Sequence, residues 1–413
     1  MRTGRIAVAL LVLPITYVLV WLFHPLRDFL SYWIAAKLFL SGQNPYSLST
    51  VFASERIMGW NEPLPLMLLN PPWILPLVGP LAWLSYPLAW CLWSALLAFC
   101  LACSSRLSLN LYGPVAMRDI SDTPFKRGLF IFSFYPVLLC LRFSQTTPLV
   151  LLGLVGFLWH EKRNNVALAG LSLSLLALKP HLVYLVIVAL MLRRSWRLIA
   201  WASLPVLLSS SIAVIHDPHV LREYVGLMRS PYVALQPSAL GWILRMPSIW
   251  SAASWLQYLP PIFGTAWFAF YWHRHKNDWN WLERMPSLIT ASVLTAAYGR
   301  LYDQALLAIP FVFLFSWYAR SFGRLPRLEV SMFTAVNIAL LIGAMFTSPL
   351  VYLPAPILFA YLLHLHQRQD KRLPCSRSKP PHDGKGVSVD RASLKRIMVR
   401  RTTPKLVPDN GRF

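Results

Sequence analysis

The sequence predicts an all-α integral membrane protein: a multi-span bundle of about 12 transmembrane helices, with interfacial helices in its first outer loop. Three observations lead there. Apolar residues fill 56% of the 413 positions and charged residues 13%, roughly half the charged share of a soluble domain. The mean hydropathy is +0.50. The apolar residues also fall in blocks, such as 6–23, 87–103, 196–215 and 332–346, close to the ~20 residues a helix needs to cross hydrocarbon. No stretch between the blocks is long enough to build a second, water-soluble core.

Taken in order, the block 6–23 is followed by His24-Pro25-Leu26-Arg27-Asp28 and not by a small-residue cleavage site. It therefore reads as an uncleaved first span. Further spans fall near 86–104, 128–142, 146–159, 166–179, 182–192, 196–215, 250–272, 286–298, 305–318, 330–347 and 350–366. Several are short and must extend into flanking polar positions or tilt. The segment 72–85 is apolar too, but it is brief and interrupted by Pro72, Pro76 and Pro80, with Pro71 just before it.

Loop charge decides whether 72–85 crosses. If it does not, the inner segments hold 30 of the 39 Lys and Arg residues. The outer segments hold the other nine: Arg27, Lys37, Arg56, Arg142, Lys179, Arg222, Arg229, Arg245 and Arg300. If it does cross, Lys162-Arg163 and Arg193-Arg194 move outside. The reading is thus an interfacial 72–85, a multi-pass protein of the cell (inner) membrane, and both termini cytoplasmic. The outer segments are then 24–85, 216–249 and four short turns near 143–146, 179–181, 299–304 and 348–349.

Residues 1–367 form one membrane-embedded domain in this reading. Residues 368–413 form a basic cytoplasmic tail with 13 Lys and Arg against 4 Asp, too polar to fold alone. Its stretch 394–401 either grazes anionic headgroups or stays solvated. The net charge of +23 is accordingly a membrane signature; the expected partners include membrane lipids and no nucleic acid. Cys91, Cys100, Cys103 and Cys140 lie in apolar blocks and Cys375 in the tail. Cys100 and Cys103 have no second ligand pair nearby, so they read as packing residues.

The chemistry-bearing residues collect in the outer segments. Asp28 opens a helix-compatible stretch that Gly42 ends, and Tyr32 shares its face. Two readings stay open for Asp28: an N-cap, or a functional carboxylate at the apolar boundary. Lys179, followed by Pro180 and His181, is either a snorkelling lysine or a phosphate partner. Arg142-Phe-Ser144-Gln145 and Gly299-Arg300-Leu-Tyr302-Asp303-Gln304 make two further polar turns. Such a set suits transfer from a lipid-phosphate-linked sugar. A carboxylate takes the acceptor proton and cations hold the departing phosphate. No nucleotide fold is needed, and no GxGxxG, GxxxxGK[ST] or DxD is present.

The order Asp28-Phe-x-x-Tyr-Trp, Gly-x-Asn44-Pro-Tyr46, Asn70-Pro-Pro-Trp73, Ser-Gln145, Leu-Lys179-Pro180 and Tyr302-Asp-Gln304 resembles the polyprenol-phosphate-mannose-dependent α-mannosyltransferases. These form glycosyltransferase family 87, of the GT-C superfold. The likeness runs from about residue 20 to 320. It implies inverting transfer of a hexose, mannose foremost, from a polyprenyl-phosphate sugar donor to a lipid or glycan acceptor on the outer face. No cofactor is expected and no metal ligands are assigned; metal dependence stays open, since no acidic pair has the spacing to demand a cation. Its catalytic Asp maps to Asp28. Tyr32, Lys37, Asn44, Tyr46, Gln145, Lys179, His181, Arg300 and Asp303 are the candidate donor- and acceptor-binding residues. Two departures stand out: Ser144 where the family commonly has Gly, and Tyr302 where it often has Trp or His. The alternative reading is a transporter or flippase of a lipid-linked glycan, which predicts ionisable residues near mid-membrane and related halves. Neither is visible in the sequence. A scaffold without catalysis is the third.

Overall fold

The computed structural model describes residues 28–113, 130–234, 239–245, 254–322, 327–344 and 349–370. The predicted first span, 6–23, and the tail beyond 370 lie outside them. All regular elements among the described residues are helical. Those of eight or more residues are α1 Phe29–Leu40, α2 Leu48–Ile57, α3 Tyr86–Tyr112, α4 Tyr135–Phe143, α5 Thr147–Glu161, α6 Val166–Leu173, α7 Tyr184–Leu192, α8 Trp196–His216, α9 Val220–Met228, α10 Leu259–His275, α11 Trp281–Thr295, α12 Ala308–Phe322, α13 Arg327–Gly343 and α14 Pro354–Asp370.

Every predicted span within the described residues coincides with helix, but the helices are often shorter or broken. Four stretches among the described residues are long and apolar enough to cross a membrane: Tyr86–Tyr112, Trp196–His216, Leu301–Tyr318 and Leu350–Gln369. The span expected at 166–179 is α6 followed by a 3-10 turn, Ser174–Leu178. The span expected at 305–318 is extended at its start by the 3-10 turn Leu301–Leu307, which draws Asp303 into it. Hydropathy registers apolar length and is blind to such changes of helical pitch, so a count of twelve is not recovered from length and composition.

Two helices show how composition meets surroundings. In α3 the side chains Leu88, Leu92, Leu96 and Phe99 are exposed, while Ala89, Trp93, Leu97 and Cys100 are buried. One face packs and the other presents hydrocarbon. Trp201, Leu204, Leu207, Leu208, Ile212 and Ile215 of α8 are all exposed. An apolar helix so little covered by protein is one whose solvent is lipid. Helices in lipid gain little from apolar contact alone, so small residues set close approach. A Cβ at Gly153 of α5 would meet Ser172 O at 2.7 Å, and one at Gly170 of α6 would meet Trp201 Cβ at 2.4 Å. The α5–α6–α8 stack depends on their absence.

The proline-rich segment folds as three short pieces, Pro72–Ile74, Leu75–Val78 and Gly79–Trp83, because each proline removes a helical N–H and crowds the preceding turn. Trp33 Nε1 donates to Leu84 O at 3.2 Å and Trp73 Nε1 to Ala177 O at 3.0 Å, tying the segment to its neighbours. The α1 helix stops at Gly42, whose φ of +71° allows Gly42 N and Gln43 N to close on Phe39 O and Leu38 O, the expected glycine ending.

Candidate active site

A cavity of about 250 Å³ opens where the connecting segments meet. Asp28, Ser31 and Tyr32 line it from the start of α1, and residues 66–70 from the run before Pro71. Gln145 comes from the α4–α5 turn, Lys179 and His181 from the turn before α7. Tyr232, Tyr298 to Arg300, Tyr302, Asp303 and Tyr352 complete it. Most of these come from the segments that the loop-charge reading groups on one side, with Tyr298 and Tyr352 at adjoining span ends.

The polar chain through the cavity runs through Gln145. Its Nε2 donates to Asp28 Oδ2 at 2.6 Å, and its Oε1 accepts from Lys179 Nζ at 2.9 Å and from Tyr32 OH at 3.3 Å. Lys179 Nζ also donates to Thr147 Oγ1 at 3.2 Å and to Asp303 Oδ1 at 2.6 Å. Asp303 is closed off further by Thr147 Oγ1 at 2.8 Å and by Arg300 N at 2.9 Å. The turn that delivers Gln145 holds Ser144 at φ +51°, a left-handed conformation that side chains resist by roughly 1–2 kcal/mol. Trp90 Nε1 to Ser144 Oγ at 3.1 Å and Trp93 Nε1 to Ser144 O at 2.9 Å hold it there. Glycine would take this conformation without that cost; here the two indole N–H groups hold a serine in it instead.

Asp28 does not cap α1 with its side chain, which removes the N-cap reading. Its carboxylate faces the cavity instead, held by Gln145 and by the phenol of Tyr302. Burial raises its pKa above the usual carboxylate value, and Arg300 works against that shift. His181 stacks on Tyr298 with ring centroids 3.7 Å apart, and its buried Nε2 has no hydrogen-bond partner among the described residues. Burial lowers its pKa to about 3, so the ring is neutral near pH 7 and is no phosphate cation; a hydrogen bond is what it can offer.

Three predicted residues do not reach the cavity. Lys37 is exposed, with Nζ 4.1 Å from the Trp33 ring centre. It lies about 140° around the helix from Tyr32 at 100° per residue. Asn44 Oδ1 accepts from Tyr46 N at 2.7 Å and shapes a turn. Tyr46 OH donates to Asn70 O at 3.2 Å, acting one residue removed from the cavity. Conversely, the side chain of Asn70 is the junction the candidate set omitted. Its Oδ1 accepts from Tyr32 OH at 3.1 Å, and its Nδ2 donates to Leu178 O at 2.8 Å. The polar Asn70 between an apolar run and two prolines was the available signal. Tyr302 stood in the quoted motif but not in the candidate set, and Tyr298 and Tyr352 carried no signal beyond their type.

A family model for glycosyltransferase family 87 matches residues 68–349. The chain belongs to glycosyltransferase family 87. The match takes in Asn70, Gln145, Lys179, His181, Arg300 and Asp303, all of which line the cavity. It begins after Asp28 and Tyr32, so their assignment to the site of this family-87 protein rests on geometry. No curated protein and no solved structure matches the chain.

Proposed function

We propose that this glycosyltransferase moves a hexose, mannose foremost, from a polyprenyl-phosphate sugar to a hydroxyl of a lipid or glycan acceptor. Asp28 is the general base. The observation that carries this is the cavity itself: of its two carboxylates, Asp303 is committed to Lys179, Thr147 and a backbone N–H, whereas Asp28 sits at the cavity face beside Arg300. The acceptor hydroxyl gives its proton to Asp28 as its oxygen attacks the anomeric carbon. The bond from that carbon to the phosphate oxygen breaks on the opposite side, with inversion. The leaving phosphate gains negative charge, and Arg300 stabilises it first. Lys179, already neutralised by Asp303, acts behind it. Neutral His181 and Tyr32 contact sugar hydroxyls.

The reading places a GT-C type bundle in the cell membrane with the cavity on the outer face and both termini cytoplasmic. Supporting it, Glu161 lies at the far end of the α5 helix from Thr147, about 21 Å away at 1.5 Å per residue, and the basic turn of Lys162 and Arg163 follows there. Arg193 stands at the corresponding end of α7 with its guanidinium 5.7 Å from the Trp281 ring centre, an aromatic and basic rim of the kind found at a cytoplasmic interface. The transporter reading gains no comparable support.

Transfer of label from polyprenyl-phosphomannose to endogenous lipid or glycan by the purified protein in vesicles tests the proposal. Wild-type transfer by a well-expressed Asp28→Asn protein would remove Asp28 from the mechanism.

A further inference from the structure

One wall of the cavity is built from a run without regular structure. Residues 66–69, Leu-Met-Leu-Leu, are apolar enough to be helical, but Pro63 and Pro65 precede them and Pro71 and Pro72 follow, barring helix at both ends. The run has no regular structure, and all four residues line the cavity.

Its N-terminal half is held by side chains from elsewhere. Both carboxylate oxygens of Glu55 accept from Leu66 N, at 3.1 and 3.0 Å. Tyr232 OH donates to Pro65 O at 2.9 Å and accepts from Met67 N at 3.4 Å. Beyond these anchors the N–H groups of Leu68 and Leu69, and along the run the C=O groups of residues 66–69, have no protein partner among the described residues. Unpaired backbone is costly in an apolar setting, and in membrane proteins it is tolerated where it lines a wet cavity.

Glu55 itself is 0% exposed and forms no ion pair among the described residues. Its neighbour Arg56 turns away to Trp60 O and Glu62 O. A carboxylate buried without a cation, with both oxygens on one peptide N–H, has that peptide as its evident purpose.

We propose that the main chain of residues 66–69 is a ligand-binding edge of the cavity, taking sugar hydroxyls on peptide N–H and C=O groups, with Glu55 and Tyr232 as the positioning residues that hold it. The choice of a sugar rests on the glycosyltransferase reading. It belongs either to the donor or to the acceptor, and the test separates them.

Wild type, Glu55→Ala, Glu55→Gln and Tyr232→Phe, full length in nanodiscs, are titrated with two probes: a short-chain prenyl phosphomannose and octyl α-mannoside. The expected result is about tenfold weaker binding of one probe by Glu55→Ala and Tyr232→Phe, with Glu55→Gln intermediate because it keeps one acceptor oxygen. The probe that weakens names the sugar on the edge. In transfer assays the matching KM rises more than kcat falls for Glu55→Ala, a split that general loss of folded protein does not produce. If Glu55→Ala lowers the thermal midpoint, Tyr232→Phe, which deletes one oxygen, carries the test. Wild-type affinity of all variants for both probes overturns the edge and leaves the transferase reading standing. Binding of neither probe to wild type overturns both.

Discussion

At one end of the cavity Asp28 is held by neutral donors, Gln145 and Tyr302, with Arg300 nearby; at the other, Asp303 takes an ammonium, a hydroxyl and a peptide N–H. The two are joined by one amide, since Gln145 donates to Asp28 and accepts from Lys179. The contrast separates two uses of a buried carboxylate. A base needs a lone pair that can take a proton, so its partners must leave it incompletely neutralised. An anchor needs a partner whose charge it cancels. Asp303 fixes Lys179 and thereby Gln145, and Gln145 aims Asp28.

The largest expected effect falls on Asp28. Asp28→Asn lowers kcat by about 10²–10⁴-fold and leaves the thermal midpoint near wild type; retained turnover in the labelled-sugar assay breaks the comparison at once. Next comes Asp303→Ala, which strands the Lys179 ammonium and costs about 3–5 kcal/mol. It is read as a fall in thermal midpoint, and adding Lys179→Met restores much of that stability without restoring activity. A stable but inactive Asp303→Ala protein would instead assign Asp303 to the chemistry. Gln145→Ala uncouples the two ends and removes a hydrogen bond to each, so kcat should drop about 10–100-fold with a smaller thermal shift than Asp303→Ala.

The smallest effect is on pH dependence. A general base works ionised, so the acidic limb of kcat/KM follows Asp28, whose pKa burial raises and Arg300 lowers. Arg300→Gln removes the opposing cation, and the limb moves to higher pH. A limb that stays in place or moves down excludes Arg300 as the neighbour that keeps Asp28 ionised.

Much of the scaffold was legible in the sequence because it is written in local signals. Apolar blocks located the helices, three prolines broke up 72–85, and Gly42 ended α1. Loop charge grouped the segments that meet at the cavity. Helical angle also suffices to exclude Lys37, which lies half a turn from Asp28. The pairings were not legible. Which aspartate Lys179 would meet is decided between residues 124 apart, and no spacing or periodicity encodes it. The same holds for Glu55 and Leu66, where a carboxylate in an ordinary amphipathic helix gave no hint that it would be buried against a peptide N–H.

The separation of Lys179 from Asp303 also has a temporal meaning. A ribosome adds roughly 5–20 residues per second, so about 6–25 s pass between the emergence of the lysine and that of its partner. Through that interval the cavity has no anchor and Gln145 has no fixed aim. A chain that ends before residue 303 therefore carries the Lys179 ammonium without the carboxylate that holds it in the full-length protein.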